Sequence, residues 1–188
     1  MGLHDEFEVA VDAVKEIDFT TCALAEINVF ETTIRYLGGF LGAYDISGER
    51  YPQLLVKAVE MGDMLYKAFD TPNRMPVTRW NFRKAVAGDH QEAGDSTLVS
   101  EIGSLSLEFT RLSQVTGDPK FFDAIQRIMD VFDVQQSKTK LPGMWPVVVN
   151  AKSLNFTEYG GFTIGGMADS LYEYLPKVRF LHRPKIEM

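Results

Sequence analysis

The chain has 188 residues, of which 45% are hydrophobic, with a mean hydropathy of −0.10 and a formal net charge of −7. This length and composition predict one soluble globular domain and argue against disorder. The acidic balance and the lack of a Lys/Arg run argue against a nucleic-acid surface, because phosphate neutralisation needs clustered positive charge. We expect no membrane span, and residues 1–6 show no signal-peptide pattern.

Apolar residues recur at helical spacing along most of the chain, and they predict helices at 5–18, 28–46, 51–68, 96–115, 119–133 and 166–177. Gly48 and Gly117 stand where helices of this kind end. Residues 70–95 contain two prolines and two glycines and show little periodicity. A loop of this length inside a compact domain usually carries function or is disordered.

A faint internal repeat predicts that the helices form hairpins. Residues 44–51 and 113–121 each link an apolar helix to an amphipathic one through a Ser/Thr-Gly-acid turn, which is how αα-hairpins are joined. Hairpins repeated side by side form a solenoid or close into a toroid. The exception lies at 146–150 and 154–157, where the pattern predicts a β-hairpin. The predicted fold class is therefore all-α with one β-hairpin.

Two short blocks of the sequence carry most of the chemical information. Glu31 and Arg35 stand four apart on an otherwise apolar helical pattern, so both leave the same helix face. For an isolated pair of this kind, a partly buried ion pair is the commoner arrangement. A second block, residues 165–175, again places two acids, Asp169 and Glu173, four apart among aromatic residues. Two helices that bear carboxylates are the pattern that glycoside hydrolysis requires.

From about Ile17 to Lys177 the chain resembles glycoside hydrolase family 47, the class I α-1,2-mannosidases, and most closely the secreted fungal members. Five ordered blocks carry the resemblance: FETTIR (30–35), AFDTPNRMP (68–76), EIGSLSLEFTRLS (101–113), TGDPK (116–120) and ADSLYEYL (168–175). The resemblance implies an (α/α)7 barrel with a hairpin plugging one end. The predicted helices make roughly three hairpins, so we expect a partial barrel. Residues 1–177 are interpreted as the N-terminal portion of a mannosidase catalytic domain, and 178–188 as a divergent tail.

The resemblance implies an inverting hydrolase, in which one carboxyl group protonates the leaving oxygen and a second carboxylate activates water. Glu31 matches the general acid, which acts on the leaving oxygen directly or through a water. Asp169 matches one of two candidates for the general base, and the other candidate lies in the C-terminal half of the family domain, outside this chain. Arg35 is either an ion-pair partner of Glu31 or a sugar contact.

Three further positions match the family's pocket. Glu101 and Glu173 match acids that orient water and sugar hydroxyls, although solvent-facing helix acids would look the same in sequence. Met167 stands where members that remove a single mannose in the endoplasmic reticulum have an arginine, so it implies the broader specificity of Golgi and secreted members; packing at a helix start is the alternative. Other acids are interpreted as solvated helix faces and turn caps: Glu108, Asp118 and Asp123.

The resemblance also implies a cofactor, a substrate and a compartment. The family binds Ca²⁺ largely through a C-terminal threonine and waters, so we expect no metal ligand in this chain, and we take the scattered histidines as solvated (His4, His90 and His182). The expected partner is a high-mannose N-glycan, with no nucleic acid and no obligate protein partner. We expect the secretory pathway or secretion, where the sequon at Asn155 would be glycosylated.

Other functions stay open at this point. One is an inactive truncated product, and another is a non-catalytic relative that binds mannose glycans without cleaving them. The presence of both Glu31 and Asp169 favours the enzyme over the binding protein, because recognition alone does not need both acids. An (α/α)-barrel epimerase or lyase would not account for five matched blocks in order.

Overall fold

The structure is a computed structural model that describes residues 2–181, and most of these residues are helical. The helices are α1 His4–Lys15, α2 Val29–Thr32, α3 Gly38–Ile46, α4 Pro52–Tyr66, α5 Phe82–Val86, α6 Val99–Gly103, α7 Ser106–Thr116, α8 Pro119–Gln136 and α9 Asp169–Leu181, with a π-helical segment Thr33–Leu37 joining α2 to α3 and a 3₁₀ turn Lys67–Phe69 after α4. The strands are β1 Ile27–Asn28, β2 Arg79–Trp80, β3 Thr97–Leu98 and β4 Val148–Val149. The predicted all-α class is confirmed.

The chain repeats one structural unit, which consists of a two-residue strand, two helices and a returning strand. In the first copy β1 pairs antiparallel with β2, and in the second copy β3 pairs with β4. The Val29 N–H donates to the Thr78 carbonyl at 3.0 Å, and the Val99 N–H donates to the Val147 carbonyl at 2.9 Å. Position 29 of the first copy therefore corresponds to position 99 of the second copy. In each copy the strand pair fixes where the first helix begins.

The turns that join the paired helices follow from local sequence. Gly117 ends α7 with φ of 72°, a left-handed conformation that glycine adopts without steric cost. Asp118 then caps α8 by accepting the Lys120 N–H at 3.0 Å, and Pro119 occupies the first helical position. Gly48 has φ of 68° after α3, the corresponding place in the first copy. The hairpin turns predicted from the repeat are therefore present at both sites.

The segment predicted as a β-hairpin is paired differently from expectation. Asn150 and Asn155 form a single β-bridge with reciprocal backbone hydrogen bonds of 3.1 and 3.2 Å. The strand before it, β4, pairs instead with β3. Leu154, with φ of 58°, turns the chain back sharply. An alternating pattern therefore identified a strand, but the partner of that strand came from more than forty residues earlier in the chain.

Glycines let two pairs of neighbouring helices approach one another closely. A β-carbon at Gly62 would collide with the Leu112 side chain, and one at Gly103 would collide with Leu171. The first contact packs α4 against α7, and the second packs α6 against α9, next to the candidate site. Within residues 2–181, no helix combines the length and the apolar character needed to cross a membrane. Helix α9 extends through residues 178–181 of the tail predicted to diverge, and residues 182–188, including His182, lie outside the described part of the chain.

Candidate active site

Helices α2, α6 and α9 are neighbours in the fold, and each carries a predicted site acid in its first turn. Glu31 is the third residue of α2, Glu101 is the third residue of α6, and Asp169 is the first residue of α9. Helix α2 contacts α6, and α6 contacts α9. Because position 29 corresponds to position 99, Glu31 and Glu101 occupy equivalent positions in the two copies.

Glu31 has a capped helix start and a solvent-accessible carboxylate. The Asn28 Oδ1 accepts the Glu31 N–H at 3.1 Å, which satisfies one of the unpaired donors of the first turn. The Arg35 Nε donates to the Glu31 Oε2 at 2.6 Å, with the two side chains 69% and 41% exposed. An ion pair with this exposure contributes about 0–1 kcal/mol to stability. The pair therefore leaves the carboxylate open to a ligand.

The residues after Glu31 form a π-helical segment, Thr33–Leu37, which contains Arg35. Short π-helical insertions are rare and occur frequently at functional sites. The Thr33 Oγ1 bonds the Val29 carbonyl at 2.8 Å at the beginning of this segment. Sequence reasoning missed the π-helical segment, because apolar residues at helical spacing do not distinguish it from an α-helix.

Glu31 and Arg35 line a cavity of about 410 Å³. Its polar side also includes Asn28, Thr32 and Tyr36. Its apolar side comes from the segment before β1, from α4 and from α5, through Ile17, Phe19, Leu24, Met61, Met64 and Phe82. The volume falls in the range of small-molecule sites, about 300–1,000 Å³. An apolar wall that faces a few polar groups is the usual composition of such sites.

Glu101 is held in a different environment, below the surface. Its side chain is 8% exposed, and it forms an ion pair with Arg79, whose Nη1 lies 2.6 Å from the Glu101 Oε1. The Asn28 Nδ2 donates to the same oxygen at 3.2 Å. Arg79 lies directly opposite Asn28 in the β1–β2 pair. The structure thus brings Glu101 to Glu31 through Asn28, and neither Asn28 nor Arg79 was predicted as a site residue.

The start of α9 is tied to the start of α6. The Ser100 N–H donates to the Met167 carbonyl at 3.3 Å, and the Ser104 Oγ donates to the Ser170 Oγ at 2.8 Å. Met167 is 61% exposed and has φ of 72°, a conformation that is costly for a residue with a β-carbon. Its side chain therefore faces solvent rather than packing in the core.

The two acids of α9 are also exposed, and each has a local partner. The Asp169 Oδ1 accepts the Ser170 N–H at 2.9 Å, and the Lys177 Nζ donates to the Glu173 Oε2 at 3.1 Å. Within residues 2–181, neither acid hydrogen-bonds to Glu31 or Glu101. Asp169 lies at the same end of the helices as those two acids, and Glu173 lies one turn further along α9.

Of the three acids interpreted as solvated or capping, Glu108 was predicted wrongly. Its carboxyl is largely buried between α7 and α9, where the Tyr174 hydroxyl donates to its Oε1 at 2.9 Å and its buried Oε2 has no hydrogen-bond partner among residues 2–181. Burial raises the pKa of Glu108 above its ordinary value. The other two behave as expected, because Asp118 caps α8 and Asp123 pairs with Arg127 on the surface at 3.0 Å.

Metal binding and glycosylation can also be examined in the structure. Among residues 2–181, no three or more His, Cys, Asp or Glu side chains come close enough to hold a metal ion. The described residues therefore do not by themselves fit the calcium site that the resemblance implies. Asn155 is half-buried, and its Oδ1 accepts both the N–H and the Oγ1–H of Thr157, at 2.9 and 2.8 Å.

An array of helical hairpins with carboxylates at neighbouring helix starts is compatible with a glycoside hydrolase, since glycoside hydrolysis uses a pair of carboxyl groups. The sequence pattern of glycosyl hydrolase family 47 matches residues 1–187, and the chain belongs to this family. The chain is 40% identical over 178 residues to the endoplasmic reticulum mannosyl-oligosaccharide 1,2-alpha-mannosidase of Homo sapiens, which covers 94% of this chain and 24% of that protein. It is 36% identical over 179 residues to the mannosyl-oligosaccharide 1,2-alpha-mannosidase IA of Sus scrofa, with 94% and 26% covered.

A solved structure gives the same result for the fold. The alpha-1,2-mannosidase from Trichoderma reesei superposes with a TM-score of 0.75 at 33% identity, over 92% of this chain and 38% of that one. This similarity confirms the predicted partial (α/α)7 barrel. The chain spans about a quarter of the length of the curated relatives it matches.

Proposed function

We propose that this chain supplies part of the active site of a mannosyl-oligosaccharide 1,2-α-mannosidase, which removes α-1,2-linked mannose from high-mannose N-glycans with inversion. The observation that carries the proposal is Glu31, an accessible carboxylate on the wall of a 410 Å³ cavity. The relatives bear the same activity in their names.

Each site acid has a separate role in the proposed reaction. Glu31 gives its proton to the leaving oxygen, directly or through a water, and Arg35 orients the Glu31 carboxylate. Asp169 is a candidate for the base that activates the attacking water, on the opposite face of the sugar ring. Glu101 and Glu173 orient water and sugar hydroxyls. We also propose that the complete domain requires Ca²⁺, with its principal ligands outside residues 2–181.

Specificity and compartment are further parts of the proposal. The Met167 side chain is exposed at the start of α9, so it can meet a branch of a bound glycan, and an uncharged residue there favours trimming of several mannoses. We expect Met167→Arg in an active enzyme to narrow the products of a high-mannose glycan toward one branch. Mass spectrometry of the product ladder tests this, and an unchanged ladder would show that Met167 does not set specificity. We place the protein in the secretory pathway, with a glycan on Asn155.

The test of activity uses a chimera in which this chain replaces the matching part of the Trichoderma reesei enzyme. We expect the chimera to hydrolyse α-1,2-linked mannobiose, to release β-mannose first as seen by NMR, and to lose activity when a chelator removes Ca²⁺. The isolated chain is the matched control. Because it spans 38% of the Trichoderma chain, we expect it to be helical, prone to associate and inactive.

The chimera also distinguishes the alternatives. Binding of α-1,2-linked mannobiose without hydrolysis would favour a non-catalytic mannose-binding relative. A chimera that has a native circular dichroism spectrum but neither binds nor hydrolyses α-1,2-linked mannobiose would contradict the proposed function. Hydrolysis by the purified 188-residue chain, abolished by chelator and by Glu31→Gln, would contradict the expectation that it is inactive alone and would require oligomerisation to complete the site.

A further inference from the structure

We infer that Arg79 is a positioning residue of the candidate active site: by pairing with Glu101 it fixes the orientation of the Asn28 amide, and Asn28 in turn fixes the start of the helix that carries Glu31. The structural part of this inference stands on one ion pair and two hydrogen bonds within residues 2–181. Its catalytic consequence rests on the proposed function.

The Asn28 side chain can be placed with its amide in two orientations, and Glu101 selects between them. A carboxylate only accepts hydrogen bonds, so it requires the NH₂ group of Asn28 to face it, as observed at 3.2 Å. The Asn28 Oδ1 is then left facing the Glu31 N–H, which it accepts at 3.1 Å. The opposite orientation would place an amide oxygen against a carboxylate and an NH₂ group against an N–H, so neither of the two hydrogen bonds could form.

Arg79 holds the Glu101 carboxylate in the position that makes this selection. A buried carboxylate without a paired cation is costly, so without Arg79 the Glu101 side chain would turn toward solvent. The Arg79 Nη1 lies 2.6 Å from the Glu101 Oε1, the same oxygen that Asn28 contacts. The backbone adds a second constraint, because Arg79 and Asn28 are directly paired between β2 and β1. A half-exposed guanidinium, at 49%, is therefore attached both to the buried acid and to the strand that precedes Glu31.

In the second copy no polar side chain caps the helix that begins after the strand. The contacts of Asn28 are therefore not a general feature of the repeated unit. Leu98 occupies the place of Asn28 before α6 and makes no side-chain cap bond. Helix α6 thus begins without a polar cap, although its strand pair has the same register as that of α2. Within the described residues, the chain of contacts from Arg79 through Glu101 to Asn28 leads only to the helix start of the first copy, whose acid, Glu31, lines the cavity.

The test is NMR of the 188-residue chain with ¹⁵N-labelled asparagine and glutamate. In Arg79→Gln we expect the Asn28 NH₂ protons and the Glu31 amide proton to lose the downfield shifts of their hydrogen bonds. Arg79→Lys restores a cation beside Glu101, so we expect it to restore most of both shifts. Arg127→Gln is the matched control, because it removes the same charge from an exposed pair with Asp123 on α8.

A second variant covers the case in which Arg79→Gln does not fold. Glu101→Met keeps the length of the side chain but presents no oxygen acceptor to Asn28, so it should give the same loss of shifts with Arg79 in place. Unchanged Asn28 and Glu31 signals in either folded variant, or the same changes in Arg127→Gln, would overturn the inference.

The catalytic consequence is measured separately, in the Trichoderma chimera. Arg79→Gln should lower kcat by about ten- to a hundredfold with little change in KM, because a small misplacement of an acid costs turnover rather than binding. Arg79→Lys should recover part of kcat. A parallel rise in KM with unchanged kcat would contradict positioning. An inactive parent chimera would count against the proposed function alone, since the NMR signals decide the structural part independently.

Discussion

Glu31 and Glu101 occupy equivalent positions in the two copies of the repeated unit, yet their surroundings differ. Glu31 is 41% exposed and pairs with Arg35 one turn along its own helix. Glu101 is 8% exposed and pairs with Arg79 from a strand of the other copy. A carboxylate that must exchange a proton with substrate needs access, whereas one that orients its neighbours needs fixed partners. The same backbone position therefore supports two different tasks.

The largest effect should come from removing the proton that Glu31 carries. In the chimera, Glu31→Gln should lower kcat by roughly 10²–10⁴-fold, which is the usual contribution of general acid catalysis. Asp123→Asn, on the exposed face of α8, is the control and should retain most activity. Steady-state hydrolysis of α-1,2-linked mannobiose is the measurement. Near-normal turnover in Glu31→Gln would remove Glu31 from the role of acid.

The next effect compares the two arginines. Arg79→Gln leaves the buried Glu101 carboxylate with the Asn28 amide as its hydrogen-bond partner, so the free energy of unfolding should fall by about 1–3 kcal/mol. Arg35→Gln breaks an exposed pair and should change it by about 0–1 kcal/mol. Urea unfolding of the 188-residue chain gives both values. Equal losses in the two variants would show that the difference in exposure has no energetic consequence.

The smallest effect concerns Glu108, whose carboxyl is buried like that of Glu101 but forms no ion pair within the described residues 2–181. Because burial raises the pKa of Glu108, the native state binds its proton more tightly than the unfolded state does. Stability from this group is therefore present at low pH and is lost as the pH rises above the ordinary glutamate value, about 4.3. Glu108→Gln resembles the protonated acid and removes this loss.

Unfolding of wild type and Glu108→Gln at several pH values tests this sign. The variant should be more stable than wild type near neutral pH, and the difference should shrink as the pH falls below about 4. Ser106→Ala, a substitution on α7 that removes no titrating group, serves as the control with a flat difference. A difference that grows on acidification would reverse the assignment.

Local signals in the sequence predicted much of the fold. Gly117, Asp118 and Pro119 are adjacent in the chain, so a helix end, a cap and a helix start could be identified together. The helix over 28–46 was also predicted, but the π-helical segment inside it was not, since its side chains follow nearly the same spacing. The break between α6 and α7 at Ser104 and Leu105 directly follows Gly103, but it was missed because the apolar spacing continues across it.

The candidate site was predicted only in part, because its contacts connect distant positions. The pair of Glu31 and Arg35 lies within one helix, and its spacing identified it. Arg79 lies in a long irregular segment, and only the β1–β2 register brings it beside Asn28 and Glu101. Glu108 was assigned to solvent because a helix pattern does not show which later element will cover a face.

The left-handed backbone of Met167 limits how this position can be altered by design. A residue with φ of 72° pays about 1–2 kcal/mol relative to glycine, and branching at the β-carbon raises that penalty. A library at position 167 should therefore recover glycine, asparagine and unbranched side chains, and it should lose valine, isoleucine and threonine regardless of what a glycan prefers. Selection at this position would thus act on backbone tolerance first and on sugar recognition second.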